Sequence, residues 1–269
     1  MHDYVNWFRH STPYINLHRD CTFVLMLPGE GLAHPNFSNI VHDIMLLNSL
    51  DVRLVLVHGS RPQIEERLSA RGITSRYHND LRITDIDTLT CVTEAVGALR
   101  IAIEAQLCTQ QQDEHDIVLL SSLGYSPTGE VFNLACEDVA TSVAAALGAD
   151  KLILFGEDAG IKDENGLLLR ELKPTRAAPL LNSLGNSLPG NLLRAACKAC
   201  NAGVRRSHIV SFAEDGAMLN ELFTRDGNGT LVAQEAFEQI RSATIEDVGG
   251  LIDLLRPLED AGILVRRSR

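Results

Sequence analysis

The chain has 269 residues, 45% hydrophobic and 22% charged, enough to bury one large core or two smaller ones and too apolar for disorder throughout. With 35 acidic against 24 basic side chains the net charge is -11, a field that repels phosphate backbones and anionic lipid head groups, so neither nucleic acid nor a membrane is an expected partner. No apolar run approaches the roughly 20 residues of a membrane span, and His2, Asp3, Trp7, Arg9 and His10 stand where a secretory signal needs an apolar stretch, so a cytoplasmic location is expected.

Residues 3–17 carry Val5, Trp7, Phe8, Tyr14 and Ile15, a large apolar load for a terminal segment. Such a segment is poorly ordered unless tied down, so an amphipathic arm helix used in self-association, and hence a homo-oligomer, is expected. Thr22-Phe23-Val24-Leu25-Met26-Leu27 is a wholly apolar run stopped by Pro28-Gly29, the signature of a strand buried on both faces. Arg53–His58, Ile117–Leu120, Lys151–Phe155 and Ser207–Val210 repeat it. Between them Leu89, Val92, Val96, Leu99, Ile103 and Leu107 step by three or four residues along one helix face. Ala135–Leu147 is alanine-rich, and Asn191–Ala202 ends at Gly203, a suitable C-cap. Strands alternating with helices predict an α/β three-layer sandwich with a mainly parallel sheet. Lys162–Gly190 holds most of the turn punctuation and is expected to be a surface excursion. After Val232 the pattern restarts with a strand-like 239–243 and a helix capped by Thr244. This final unit is too short to bury its apolar face alone.

Six cysteines are scattered through apolar context and read as reduced. Cys197 and Cys200 match C-x-x-C, but no second pair completes a zinc site, and the nine histidines form no ligand cluster, so no metal is expected.

Several stretches, in order, carry a resemblance: Trp7–Ile15, Val57–Ile64, Leu81–Thr84, Gly203–Ile209 and Glu221–Thr230, followed by Arg241–Asp247 and Gly262–Ser268. Together they resemble the amino acid kinase family in the form fused to an acetyltransferase in bacterial N-acetylglutamate synthases. The resemblance implies an arm at 1–20, a kinase-like domain at 21–235 and the start of an acetyltransferase domain at 236–269. It also implies the parent reaction, acetyl-CoA plus L-glutamate giving N-acetylglutamate, with L-arginine as feedback effector. Acetyl-CoA would be a substrate of the longer enzyme, and no cofactor is expected in this chain. The acetyl-CoA loop would lie beyond Arg269, so no catalytic residue is expected here, and the chain alone is not expected to acetylate glutamate.

Active kinases of the family hold phosphate with lysines and glycine-rich turns, through charge and backbone N–H groups. Here Met26 stands at the first lysine position, Pro28 replaces a glycine and removes a donor, Ser60 and Arg61 follow Gly59, and no lysine stands at Asn191 or Leu192. A vestigial cleft at Gly29, Gly59, Arg82, Asn133 and Glu157 is therefore expected, without kinase activity. The resemblance puts a regulatory arginine site at Tyr14, His208, Glu221, Gly227 and Gly229. A carboxylate meets a guanidinium well, and glycines let backbone approach the ligand. On that reading Glu221→Gln is expected to abolish the response to arginine while leaving the ligand-free protein nearly unchanged. Two rival readings remain: an ATP-dependent acylglutamate kinase and a stand-alone arginine-binding domain. Finally, Thr109–His115 leads straight into the strand at Ile117 where the family places roughly 50 residues of hairpin and helix, a loss that would open the cleft and expose a sheet edge.

Overall fold

The computed structural model describes residues 11–78, 81–110, 117–234 and Leu255. Two compact units divide at Gln234, and the second, Glu235–Arg269, lies outside the described residues apart from Leu255, as does the helix expected after Thr244. Residues 1–10 of the expected arm also lie outside, while residues 11–18 are helical (α1).

The first unit then runs β1 (Thr22–Leu27), α2 (Gly29–Ala33), α3 (Phe37–Ser49), β2 (Arg53–His58), α4 (Arg61–Ala70), β3 (Tyr77–His78), β4 (Leu81–Arg82) and α5 (Ile86–Gln110). It continues with β5 (Val118–Ser121), β6 (Leu123–Tyr125), β7 (Val131–Asn133), α6 (Cys136–Leu147), β8 (Lys151–Gly156), β9 (Glu171–Leu172), α7 (Ala178–Leu184), α8 (Leu188–Asn201), β10 (Arg206–Ser211), α9 (Ala217–Phe223) and β11 (Thr230–Val232). The sheet order is β5-β2-β1-β8-β10-β11-β9. The five strands expected from apolar runs are its five mutually parallel members, and β11 pairs antiparallel with β10. This is the mainly parallel α/β sandwich that the alternation of strand and helix predicts.

The apolar runs read as they do because both faces of the sheet are covered. On β1, Val24 and Met26 face a layer with Ala140 and Ala144 of α6 and Leu192, Leu193 and Ala196 of α8. Phe23, Leu25 and Leu27 face the opposite layer, with Ile40, Ile44 and Leu47 of α3, Ile103 of α5, and Leu222 and Phe223 of α9. Each such side chain contributes about 1.5–3 kcal/mol by leaving water. Small residues on α6 and α8 let those helices approach closely, which is why alanine accumulates there. Cys197 and Cys200 lie on the buried side of α8, and the Cys200 thiol donates to the Val232 carbonyl at 3.1 Å, so the C-x-x-C spacing is packing. Among the described residues no helix is long and apolar enough to cross a membrane.

The 162–190 stretch is largely exposed, as expected of a surface excursion, but it also holds short elements. It supplies β9, which joins the sheet edge beside β11, then a 3-10 turn and α7, and it buries Leu172 and Ala177. Turn residues dominate its sequence because these elements are short and the segment is largely exposed. The expected shortening falls on 109–116, of which 111–116 lie outside the described residues. Among the described residues β5 closes the sheet at one edge, with Val118 exposed.

Candidate functional site

Strand order switches between the parallel neighbours β1 and β8: β2 and β5 follow on one side, β10 on the other. In parallel α/β sheets ligands bind in the crevice outside the carboxyl ends of strands at such a switch. A cavity of about 380 Å³ lies there, lined by the turn after β1 (Pro28, Gly29), the turn after β2 (Gly59, Ser60, Arg61) and the first turns of α6 and α8. Gly29 and Gly59 are required by packing: a Cβ on Gly29 would stand 2.9 Å from the Arg61 nitrogen, and one on Gly59 3.0 Å from the Gly29 nitrogen.

Of the expected cleft residues, Gly29, Gly59, Arg82 and Asn133 line this cavity. Glu157 does not. It is exposed beyond the end of β8, and only its main-chain carbonyl is engaged, accepting from the Ser211 hydroxyl at 2.7 Å. Arg82 is committed elsewhere. Its guanidinium is buried and pairs with Glu65 at 2.7 Å, donates to the Ser75 hydroxyl at 2.6 Å and stacks on Tyr77. Glu65 also accepts from Ser75 and Tyr77, and despite the burial that raises it, these donors and Arg82 hold its carboxyl below the usual range. The network pins the antiparallel β3–β4 pair to α4. Met26 is fully buried in the core, its sulfur 3.6 Å from the Cys136 sulfur. Asn191 lines the cavity without a lysine. The lysine that does line it, Lys198, is held by Asp138 at 2.8 Å.

The second site lies at the opposite, amino end of the sheet. Here Lys151, the first residue of β8, is in register with Phe23 of β1 and Arg206 of β10, so its side chain is carried inside. Its ammonium lies 5.7 Å from the Phe23 ring centre and 3.5 Å from His208 Nε2. His208 Nδ1 meets Glu221 Oε1 at 2.7 Å, and both side chains are almost fully buried, 5% and 6% exposed. The N–H groups of Asn228 and Gly229 both donate to Glu221 Oε2 at 2.8 Å. Gly227, with φ +63, can carry no side chain, since a Cβ would collide with Glu221 Oε2. Burial, then Lys151, pushes the His208 imidazole down. Burial opposes ionisation of Glu221, but His208 and the two N–H groups hold its carboxyl below the usual range. His208 is therefore neutral at pH 7, its Nδ1–H donating to Glu221 and its Nε2 accepting from Lys151. Lys151 is itself pushed down to about 8, mainly by burial, with Arg206 adding to it.

His208, Glu221, Gly227 and Gly229 thus come together. Tyr14 is near them only in the sense that it packs on the apolar cluster holding Leu222 and Phe223 of α9. The arm residue that reaches α9 directly is His18, whose Nε2 lies 2.9 Å from the Leu222 carbonyl, with its ring edge-on to Phe23 and Phe223. Arg170 donates to the Asp226 and Gly227 carbonyls at 3.0 and 2.8 Å, closing the same turn. Glu221 is a buried network acid and not one on a solvated face, so its removal is expected to cost stability even without ligand.

Residues 100–211 match the amino acid kinase family. Over an alignment of 317 residues the chain is 58% identical to an amino-acid acetyltransferase of Azotobacter vinelandii, covering all of this chain and 73% of that protein. The chain belongs to the amino-acid acetyltransferase family. A solved N-acetylglutamate synthase from Neisseria gonorrhoeae, complexed with coenzyme A and L-arginine, matches with TM-score 0.86 and 31% identity over 98% of this chain and 72% of that one. The same enzyme complexed with coenzyme A and N-acetyl-glutamate matches with TM-score 0.79 and 33% identity, covering 98% of this chain and 72% of that one. The alignment with the Azotobacter acetyltransferase runs over 317 positions against 269 residues here, so that relative carries positions this chain lacks.

Sequence reasoning missed Lys151, His18 and Lys198. Lys151 opens an apolar strand, where a lysine normally meets solvent, and only the strand order puts it beside His208. His18 lies one turn outside any apolar pattern. Lys198 carried a signal, being nearly two turns along α8 from the empty lysine position at Asn191 and Leu192.

Proposed function

We propose that this chain serves N-acetylglutamate synthesis from acetyl-CoA and L-glutamate, and that its kinase-like unit senses L-arginine and transfers no phosphate. The observation that carries the reading is the buried line Lys151, His208, Glu221 closed by the Asn228 and Gly229 N–H groups. It offers one buried carboxylate and one buried ammonium at fixed spacing. An arginine presents their complements, a guanidinium and a carboxylate. Glu221 accepts three hydrogen bonds from the protein, which leaves acceptor capacity on Oε1 for a guanidinium donor. The gonococcal synthase bound to L-arginine supports the choice of ligand. Silence toward ATP rests on Met26 inside the core and on Lys198 spent on Asp138. Self-association through the arm belongs to the same reading.

The test is thermal. A ligand that binds only the folded state stabilises it by about 2.7 kcal/mol at 100 times its dissociation constant. L-arginine should thus raise the melting midpoint by roughly 5–10 °C, and L-lysine, lacking the planar fork, by much less. Glu221→Gln should lose that shift. It should also lower the ligand-free midpoint by several degrees, since one buried charged partner of His208 costs about 1–3 kcal/mol. An arginine shift that survives Glu221→Gln would remove the site from these residues.

A further inference from the structure

The cleft at the carboxyl end of the sheet is not accounted for by arginine sensing. Its charges divide once internal pairs are set aside. Arg82 is matched by Glu65 and Lys198 by Asp138. What remains on the lining is two guanidinium groups, Arg61 and Arg194, and two carboxylates, Glu30 and Glu137. Among the described residues neither Glu30 nor Glu137 has an ion-pair partner, and both press on the Cys136 thiol, which is raised by burial first and then by Glu137 and Glu30. Arg61 stacks on Tyr77, and Arg194 donates only to Asn191 and the Gly185 carbonyl.

The cationic side has a second, independent feature. Helix α4 starts at the cavity with Arg61 at its first position and no acidic residue in its first turn. Its N-cap, Ser60, is 97% buried by its 3% exposure, makes no capping bond, and its hydroxyl has no partner. Two more buried polar atoms without partners, His58 Nε2 and Gln63 Oε1, lie within the same β2–α4 junction. Buried polar atoms are nearly always hydrogen-bonded, and of these three residues Ser60 alone lines the cavity, so its hydroxyl is the one that calls for a partner from outside the protein. The helix start offers the N–H groups of Arg61 and Gln63, Pro62 having none, and with the Ser60 hydroxyl these receive a carboxylate. The facing Glu30 and Glu137 receive an ammonium.

We propose that this cleft binds an α-amino acid as its zwitterion, the carboxylate on Ser60 and the α4 N-terminus and the ammonium toward Glu30 and Glu137. A cavity of about 380 Å³ holds a free amino acid with room to spare and falls within the range of small-ligand sites. The balanced charge disfavours phosphate and N-acylated amino acids, which bring anions without an ammonium. The site is separate from the arginine site and is tested separately.

The probes are L-glutamate, N-acetyl-L-glutamate and inorganic phosphate, titrated into the whole chain by calorimetry. L-glutamate should bind, and N-acetyl-L-glutamate and phosphate should bind at least roughly tenfold more weakly. Ser60→Ala and Glu137→Gln should each weaken L-glutamate roughly tenfold, while Glu221→Gln leaves it unchanged. Ser60→Ala deletes an unpartnered group, so its ligand-free melting midpoint should match wild type. If it does not, Glu137→Gln at the half-buried wall decides alone. The proposal is overturned by absence of L-glutamate binding, by equal binding of N-acetyl-L-glutamate, or by a loss that follows Glu221→Gln and spares the cleft variants.

Discussion

The two ends of the sheet handle charge in opposite ways. At the amino end, Lys151, His208 and Glu221 are buried and satisfy one another, so the site is a closed hydrogen-bonded line even without ligand. At the carboxyl end, the cavity is open and its charges are either paired off sideways, as Arg82 and Lys198 are, or left facing the space. The usual ligand position of a parallel α/β sheet is the second of these. A site at the amino end must be built from a strand-opening lysine, an arm and a glycine turn, because no crevice is provided there by the fold. The lesson is that a fold marks one place for a ligand and side chains can create another.

The comparison can be broken most forcefully at Met26. Restoring the lysine by Met26→Lys should yield no ATP-dependent acylphosphate from N-acetylglutamate, because the position is inside the core. A buried ammonium without a partner costs several kcal/mol, so the midpoint should fall by roughly 10 °C. Phosphoryl transfer by either protein would overturn the assignment of the cleft as kinase-silent.

A smaller effect is expected at the arm. His18 is pushed down to about 4, by burial above all, so the folded state resists the proton that the unfolded chain accepts near pH 6.5. Between those values the unfolded state binds more protons, and stability falls as pH falls. From pH 7 to 5 the loss should be roughly 2 kcal/mol. In His18→Gln the acid limb of midpoint against pH should be shallower, and an identical limb would assign the loss to other groups.

Smallest is the effect of Arg170. Its guanidinium occupies the Asp226 and Gly227 carbonyls beside Glu221, acceptors an arginine ligand could use. Arg170→Ala should tighten arginine binding by a few fold, on the order of 0.5–1 kcal/mol, as one exposed hydrogen-bonding competitor is removed. Weaker binding would make Arg170 a support of the turn and not a competitor.

How far these regions could be read from sequence differed for a physical reason. Strand runs such as Phe23–Leu27 are legible because burial on both faces demands continuous apolarity. Gly29 and Gly59 were reached through the family resemblance, and the close backbone approach that requires glycine at both shows only in the structure. Lys151 was not legible, because whether a charge is buried depends on which strands flank it, and that order is a long-range property. Arg82 was misjudged in part for a similar reason: the residue is where the cleft needs it, but Glu65, on a helix seventeen residues earlier, has taken its charge. The β9 segment was hidden by its shortness, two residues among turns.

Strand β1 begins at the amino-end site and ends at the rim of the cleft, on the order of 15 to 20 Å away. It is clamped along that length by parallel ladders to β2 and β8. Such a strand cannot slip by one residue without turning Phe23, Leu25 and Leu27 into the layer made for Val24 and Met26. It behaves as a stiff rod between two sockets. A shift of register along it is therefore closed to either site as a way of acting on the other.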